Sequence, residues 1–261
     1  MKKTLLLSIA LSSAVALAGT AWAAERGRDG ELRLLYWQAP STMMPYLSGG
    51  TKELEASSLV IEPLARYDPD GKMHPWLAEE IPTVANGGIS EDLTSITWKL
   101  RRGIKWSDGS ELTSADAVFT YEYCSHPDTG CTSSNYFNDI VSVDALDSHT
   151  IRINFTVAKP FPYAPFVGYN APIMQAAQFD GCIGAKAQEC TEQNFNPIGT
   201  GPFKVVDFKP NDVIVFEANE HYRVEGQPAF QSVLFKGGGD ATSAARAVLE
   251  TGEMHFAWNL Q

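Results

Sequence analysis

From Ile96 to Arg101 the chain alternates. Ile96, Trp98 and Leu100 point one way, and Thr97, Lys99 and Arg101 the other. A two-residue period is that of a half-buried strand. Asp108-Gly109 behind it is a turn dipeptide. Thr113, followed three residues later by Asp116, has the spacing of a capping box, and Ala117, Val118 and Phe119 open the helix behind it. The run Thr97–Phe119 therefore predicts a strand, a tight turn and a capped helix.

The same reading extends along the chain. Glu31–Trp37 (ELRLLYW) predicts a buried first strand, followed by a Pro-, Gly- and Ser-rich loop over Pro40–Thr51. Glu53–Leu64 predicts a helix, Tyr67–Lys72 a turn and Leu77–Glu80 a short helix. Ser142–Val157 predicts two strands around an Asp-Ser turn. Phe161–Phe179 is apolar but carries Pro162, Pro165 and Pro172, which predicts a broken helix. Asp180–Phe195 predicts a Cys-containing loop. Phe203–Phe208 and Val213–Phe216 flank Lys209-Pro210-Asn211-Asp212 as a hairpin. A strand over Val233–Lys236 follows. Asp240 is placed to cap a helix through Leu249 that ends near Gly252, and Met254–Leu260 predicts a final strand.

Before all of this, Lys2 and Lys3 form a basic start, Leu5–Leu17 an apolar run, and Ala21-Trp22-Ala23 an A-x-A cleavage site. That order predicts an export signal over residues 1–23, cleaved after Ala23, rather than a membrane span. No Cys lies near the cleavage site, so no lipid anchor is expected and a periplasmic location is. Formal charge is 20 − 31 = −11 for the whole chain, and 18 − 31 = −13 once Lys2 and Lys3 are removed. Such acidity argues against nucleic acid or an anionic membrane as partner.

The four cysteines, Cys124, Cys131, Cys182 and Cys190, lie in an exported chain, where disulfides persist. Three connectivities are open, of which pairing Cys124 with Cys131 and Cys182 with Cys190 is the simplest. Each such bridge would contribute roughly 2–4 kcal/mol. Zinc is disfavoured because neither pair has C-x-x-C spacing. The five histidines are scattered, and the sequence predicts neither a metal site nor a cofactor. No G-x-x-x-x-G-K-S/T loop is present, so the chain is not a transporter ATPase.

Two blocks are more specific than their periodicity. The first is W-x-L-R-x-G-x-x-W-S-D-G-x-x-L-T-x-x-D-x-V, from Trp98 to Val118. The second is Pro197–Lys204 (PIGTGPFK), continued by N-x-x-Y at Asn219–Tyr222 and by Gly252-Glu253 with a strand behind it. In this order they resemble the oligopeptide/dipeptide-type solute-binding proteins of ABC importers, extracytoplasmic family 5, over nearly all of the chain beyond the signal. Two departures stand out. His255 occupies a position that is commonly Asp, and Trp106-Ser107-Asp108-Gly109 replaces the more usual Phe-His-Asp-Gly.

The resemblance implies an α/β fold of the class II periplasmic binding protein kind. Residues 24–65 would begin lobe one, 66–194 form an inserted α+β subdomain, and 195–261 return to lobe one, the second lobe lying beyond Gln261. It implies a monomeric binder of peptides or a related small solute, gripped between two lobes and delivered to permease subunits. A nickel chelate, opine or sugar is the alternative ligand. Two segments are expected to face the cleft. One is the loop around Gly49, Gly50 and Thr51, where glycine permits close backbone approach. The other is Trp258, Asn259 and Leu260 at the end of the last strand. A hydrolase is the competing class. Asp108 with Glu111 or Asp116 could be offered as a carboxylate pair, but the turn explains Asp108 and the cap Asp116. No G-x-S-x-G or H-E-x-x-H supports catalysis.

Overall fold

The computed structural model describes residues 25–258. The expected export signal and the expected site residues Asn259 and Leu260 lie outside the described residues.

Two main sheets share one core. In the first, β1 (Glu31–Tyr36) lies between β9 (Ser232–Gly237) and β10 (Phe256–Ala257), parallel to both. Beyond β9 come β8 (Val213–Ala218) and β7 (Phe203–Lys209), each antiparallel to its neighbour, giving the order β10-β1-β9-β8-β7. Parallel neighbours need a crossover. Helix α4 (Ala241–Leu249) supplies it between β9 and β10, and the Asp240 carboxylate caps it by accepting from the Ser243 N–H at 2.8 Å.

The second sheet is antiparallel, in the order β4 (Ser95–Lys99), β6 (Thr150–Phe155), β5 (Ile140–Asp147). Ile96 pairs with Ile153 and Trp98 with Ile151, and all four are fully buried. Helix α2 (Ser114–Ser125) lies beside this sheet. Its capping box forms as expected, with the Thr113 N–H donating to Asp116 Oδ2 at 2.9 Å. A hairpin of β2 (Ala65–Tyr67) and β3 (Met73–Pro75) lies apart. One continuous hydrophobic cluster joins Phe216 and Phe235 of the first sheet to Trp98 and Trp106 near the second.

Five expected elements differ. The helix predicted over Glu53–Leu64 is α1 (Thr51–Ser57) and stops early. The Leu59 and Val60 carbonyls instead accept from Phe203 and Gly201 N–H, at 3.1 and 2.8 Å. Leu77–Glu80 is not helical. Ala78 bridges Leu100, and the Glu79 N–H donates to the Lys99 carbonyl at 2.9 Å, so extended neighbours occupy these backbone groups. Phe161–Phe179 contains no helix. Its prolines remove donors, and several of its backbone bonds run to distant groups, among them Glu62, Leu64 and Ala65. The last strand is only two residues long. The loop over Asp180–Phe195 contains a further short helix, α3 (Thr191–Phe195).

The two signature blocks meet. The Ser107 N–H donates to the Gly199 carbonyl at 2.9 Å, and Asn219 Nδ2 donates to the Gly201 carbonyl at 2.8 Å. A side chain at Gly199 would place its Cβ 1.9 Å from the Val60 carbonyl oxygen, and one at Gly201 would lie 2.4 Å from that of Leu59. These glycines therefore serve close backbone packing. Beside them Glu62, fully buried, accepts from Trp76 Nε1 at 2.6 Å and from the Thr200 hydroxyl at 2.9 Å, and pairs with Arg223 at 2.6 Å. Arg66 and Arg223 both lie over the Trp76 ring.

A candidate ligand-facing edge

The parallel strands β1, β9 and β10 end on the same side of the sheet, and in open α/β sheets ligands bind outside such carboxyl ends. Here β1 turns aromatic. Tyr36 is buried against Phe235, with ring centroids 4.2 Å apart. Trp37 emerges beside it and packs on Trp258 from the end of β10 at 4.4 Å. Trp258 is anchored by its N–H to the Leu35 carbonyl at 2.9 Å, yet 46% of it is exposed. Trp37 and Trp258 thus form an aromatic shelf at the sheet edge.

Tyr36 carries this edge toward α1, since its hydroxyl donates to Glu55 Oε2. Burial, with the hydrogen bond and charge of Glu55 added, pushes the Tyr36 phenol well above its ordinary pKa. The hydroxyl therefore stays protonated and serves as a fixed donor. Among the described residues, Glu55 Oε1 makes no hydrogen bond.

The loop before α1 is held from below. Glu53 is buried, and its Oε1 accepts from the Ser41 N–H and hydroxyl, both at 3.0 Å, and pairs with Lys52. Burial alone would raise its carboxyl pKa, but Lys52 and Ser41 outweigh that and hold it below the ordinary value. Its Oε2 has no partner among the described residues and lies 2.3 Å from where a Cβ on Gly50 would stand. The space beside Gly50 is therefore filled by the protein's own carboxylate. Gly49 is exposed, with only Thr132 nearby at 4.0 Å, and Thr51 begins α1 facing solvent. Of the expected site residues, Gly49, Thr51 and Trp258 are accessible, and among the described residues no hydrogen bond joins the loop to Trp258. The link between them, Tyr36 to Glu55, was missed. Its signal was the change from aliphatic to aromatic residues at the end of ELRLLYW.

Next to Glu55 lies a groove of about 330 Å3 between α1, β2 and the segment 167–170. Elsewhere, Cys124 and Cys131 stand at disulfide distance with Cα atoms 5.2 Å apart, and Cys182 and Cys190 with Cα atoms 6.0 Å apart. Asp108 and Asp116 are committed to local structure. Ser110 and Gln175 bond the first, and the N–H groups of Thr113 and Ala176 bond the second. Among the described residues no three His, Cys, Asp or Glu gather as a metal site, and no helix is long and apolar enough to cross a membrane.

Residues 72–261 match the family described as bacterial extracellular solute-binding proteins, family 5. The chain belongs to that family. Its relatives include the glutathione-binding protein GsiB of Salmonella choleraesuis (strain SC-B67), 26% identical over 219 residues, which are 84% of this chain and 40% of that protein. Among solved structures, the oligopeptide-binding protein AppA of Bacillus subtilis, in complex with a nonapeptide, superposes with a TM-score of 0.76. It is 23% identical, over 88% of this chain and 44% of AppA. NikZ of Campylobacter jejuni, in complex with Ni(L-His), gives 0.72 at 24% identity, over 87% of this chain and 42% of NikZ. The fold is thus the α/β fold of these binding proteins, represented by part of it. The chain spans about 40% of the length of the curated relatives it matches.

Proposed function

We propose that this chain supplies one wall of the ligand cleft in the substrate-binding component of an ABC importer, which takes peptides or a related small solute. The observation that carries this is the aromatic shelf of Trp37 and Trp258, at the carboxyl ends of parallel strands, in a chain of family 5. A shelf of this kind covers a ligand's apolar parts, and backbone groups at a strand end can hold an extended main chain. Gly49, Gly50 and Thr51 flank the same wall.

In this reading residues 24–65 and 195–261 form lobe one, 66–194 an inserted subdomain, and a second lobe supplies the opposite wall. Closure of the lobes excludes water and presents the closed form to the permease. The protein acts as a monomer in the periplasm, exported by residues 1–23 and stapled by Cys124–Cys131 and Cys182–Cys190. It is read as a binder rather than a catalyst: of the carboxylates offered for hydrolysis, Asp108, Glu111 and Asp116, the first serves a turn and the last a helix cap.

Native mass spectrometry of the full-length protein, followed by calorimetry with mixed peptides, tests the proposal. Retained, unaltered peptide supports it, and cleaved product overturns it. Residues 24–261 alone should bind at least tenfold more weakly than the protein with both lobes, since one wall cannot enclose a ligand. Submicromolar binding by that fragment contradicts the two-lobe reading. A non-peptide solute is the second reading, favoured by the fold shared with NikZ in complex with Ni(L-His).

A further inference from the structure

The groove beside Glu55 has a chemistry of its own. Tyr67 and Tyr169 stand at its sides, 47% and 49% exposed. Tyr136 and Asn170 lie within it, joined by Asn170 Nδ2 donating to the Tyr136 hydroxyl at 3.3 Å. The Glu55 carboxylate enters from α1, half-buried, with Oε2 taken by Tyr36 and Oε1 without a hydrogen bond among the described residues. Tyr36 also packs 6.4 Å from Trp258, so it bridges Glu55 of the groove and Trp258 of the shelf.

The Arg66 guanidinium also lines the groove, but it is held by neighbouring groups of the fold. It donates to the Ser58 carbonyl at 3.2 Å, lies 4.3 Å over the Trp76 ring and faces Glu62 at 3.9 Å. The carboxylate open to a ligand is therefore that of Glu55. Phenol faces attract cations, and a half-buried carboxylate strengthens a charge-assisted hydrogen bond to one.

We infer that this groove is a subsite for a cationic side chain, a guanidinium or primary ammonium, of a peptide whose apolar part rests on the Trp37–Trp258 shelf. The inference rests on the peptide-binding reading above and adds a charge preference to it. The guanidinium lies between the faces of Tyr67 and Tyr169 and donates to Glu55 Oε1. The strongly acidic character of the chain, −11 overall, favours the approach of such a ligand.

The test uses the full-length protein and two sets of short peptides that differ only by arginine or its neutral isostere citrulline at one position, scanned along the peptide. The affinity ratio is measured by calorimetry. At one position the arginine peptide should bind about tenfold more tightly, the scale of one partly buried charge-assisted bond. In Glu55→Gln, whose amide oxygen can still accept from Tyr36, that ratio should fall to near one. Tyr169→Leu, on an exposed loop, should lower it about threefold. A ratio near one at every position in the unaltered protein, with both sets bound, overturns the subsite alone. So does a ratio that Glu55→Gln leaves intact. If neither set binds, both the subsite and the peptide reading are overturned.

Discussion

At Gly199 a side chain has nowhere to go, whereas at Trp258 nearly half of one faces solvent. The first position lies in the junction where the chain's two signature blocks meet, with a backbone oxygen 1.9 Å from where a Cβ would stand. The second lies at a sheet edge and touches Trp37 and Tyr36 on one side only. The junction consists of glycines, backbone hydrogen bonds and a fully buried carboxylate, whose requirements are geometric and absolute. The edge consists of aromatic faces and one free carboxylate oxygen, which constrain the fold weakly and a ligand strongly. The blocks that identify this chain's family therefore describe how its pieces are joined. In the proposed reading, most residues placed to choose a ligand lie outside them, at the end of β1 and in α1, while Trp258 stands at the end of the last block.

If this contrast is right, the largest losses of stability come from the junction. Gly199→Ala forces a methyl group into the Val60 carbonyl, and neither backbone can yield without moving the Gly201 and Phe203 hydrogen bonds. A loss of about 4 kcal/mol or more is expected, in the range reserved for named core defects. Urea unfolding would measure it, and a loss below about 1 kcal/mol, typical of an ordinary substitution, would break the comparison. Glu62→Ala comes next, at about 3–5 kcal/mol, because Arg223 is left mostly buried beside Trp76 without its charge partner. Glu62→Gln should recover part of this, since its single amide oxygen still accepts from Trp76 or from Thr200.

These two regions were unequally legible in the sequence. The alternation at Ile96–Arg101, the Thr113–Asp116 cap and the hairpin around Asn211 are local, so their residues predict them. The early end of α1 at Ser57 is not local. It depends on Gly201 and Phe203, almost 150 residues further along the chain, taking the Val60 and Leu59 carbonyls. The same holds at Leu77–Glu80, where Lys99 and Leu100 occupy backbone groups a helix would need. Trp258 and the Gly49–Thr51 loop could be named as candidates only through the family resemblance, which sets both beside the cleft. Glu55 could not, because its role depends on Tyr36 reaching α1 across the sheet edge.

Smaller effects should come from the local devices. Asp116→Ala removes the acceptor of the Thr113 and Ala176 N–H groups, each at 2.9 Å, and should cost about 2 kcal/mol. Asp108 gives a pH signature. Partial burial would raise its carboxyl pKa, but hydrogen bonds from Ser110 and Gln175 outweigh this and hold it below the ordinary value. Its contribution is thus fully present above the unfolded value and is lost as pH falls through the folded one. Stability measured from neutral to strongly acidic pH should fall less steeply at the acidic end in Asp108→Asn. Identical slopes would mean that these hydrogen bonds do not favour the ionised form.

The smallest change in stability should come from Trp258→Ala, and it decides whether the edge is what the contrast takes it to be. Half-exposed and stacked mainly on Trp37, Trp258 should contribute only about 0.5–1 kcal/mol to folding. As part of the shelf it loses most of its remaining exposure when a ligand covers it. In the full-length protein the substitution should therefore weaken ligand binding by about tenfold or more, the effect of removing an aromatic anchor. Thermal melts and calorimetry on the same sample separate the two effects. A variant that melts far lower while binding normally would make Trp258 a core residue, and the edge would then be no different in kind from the junction. One that melts normally and binds weakly places ligand selection at the carboxyl ends of β1 and β10, away from the junction at Gly199.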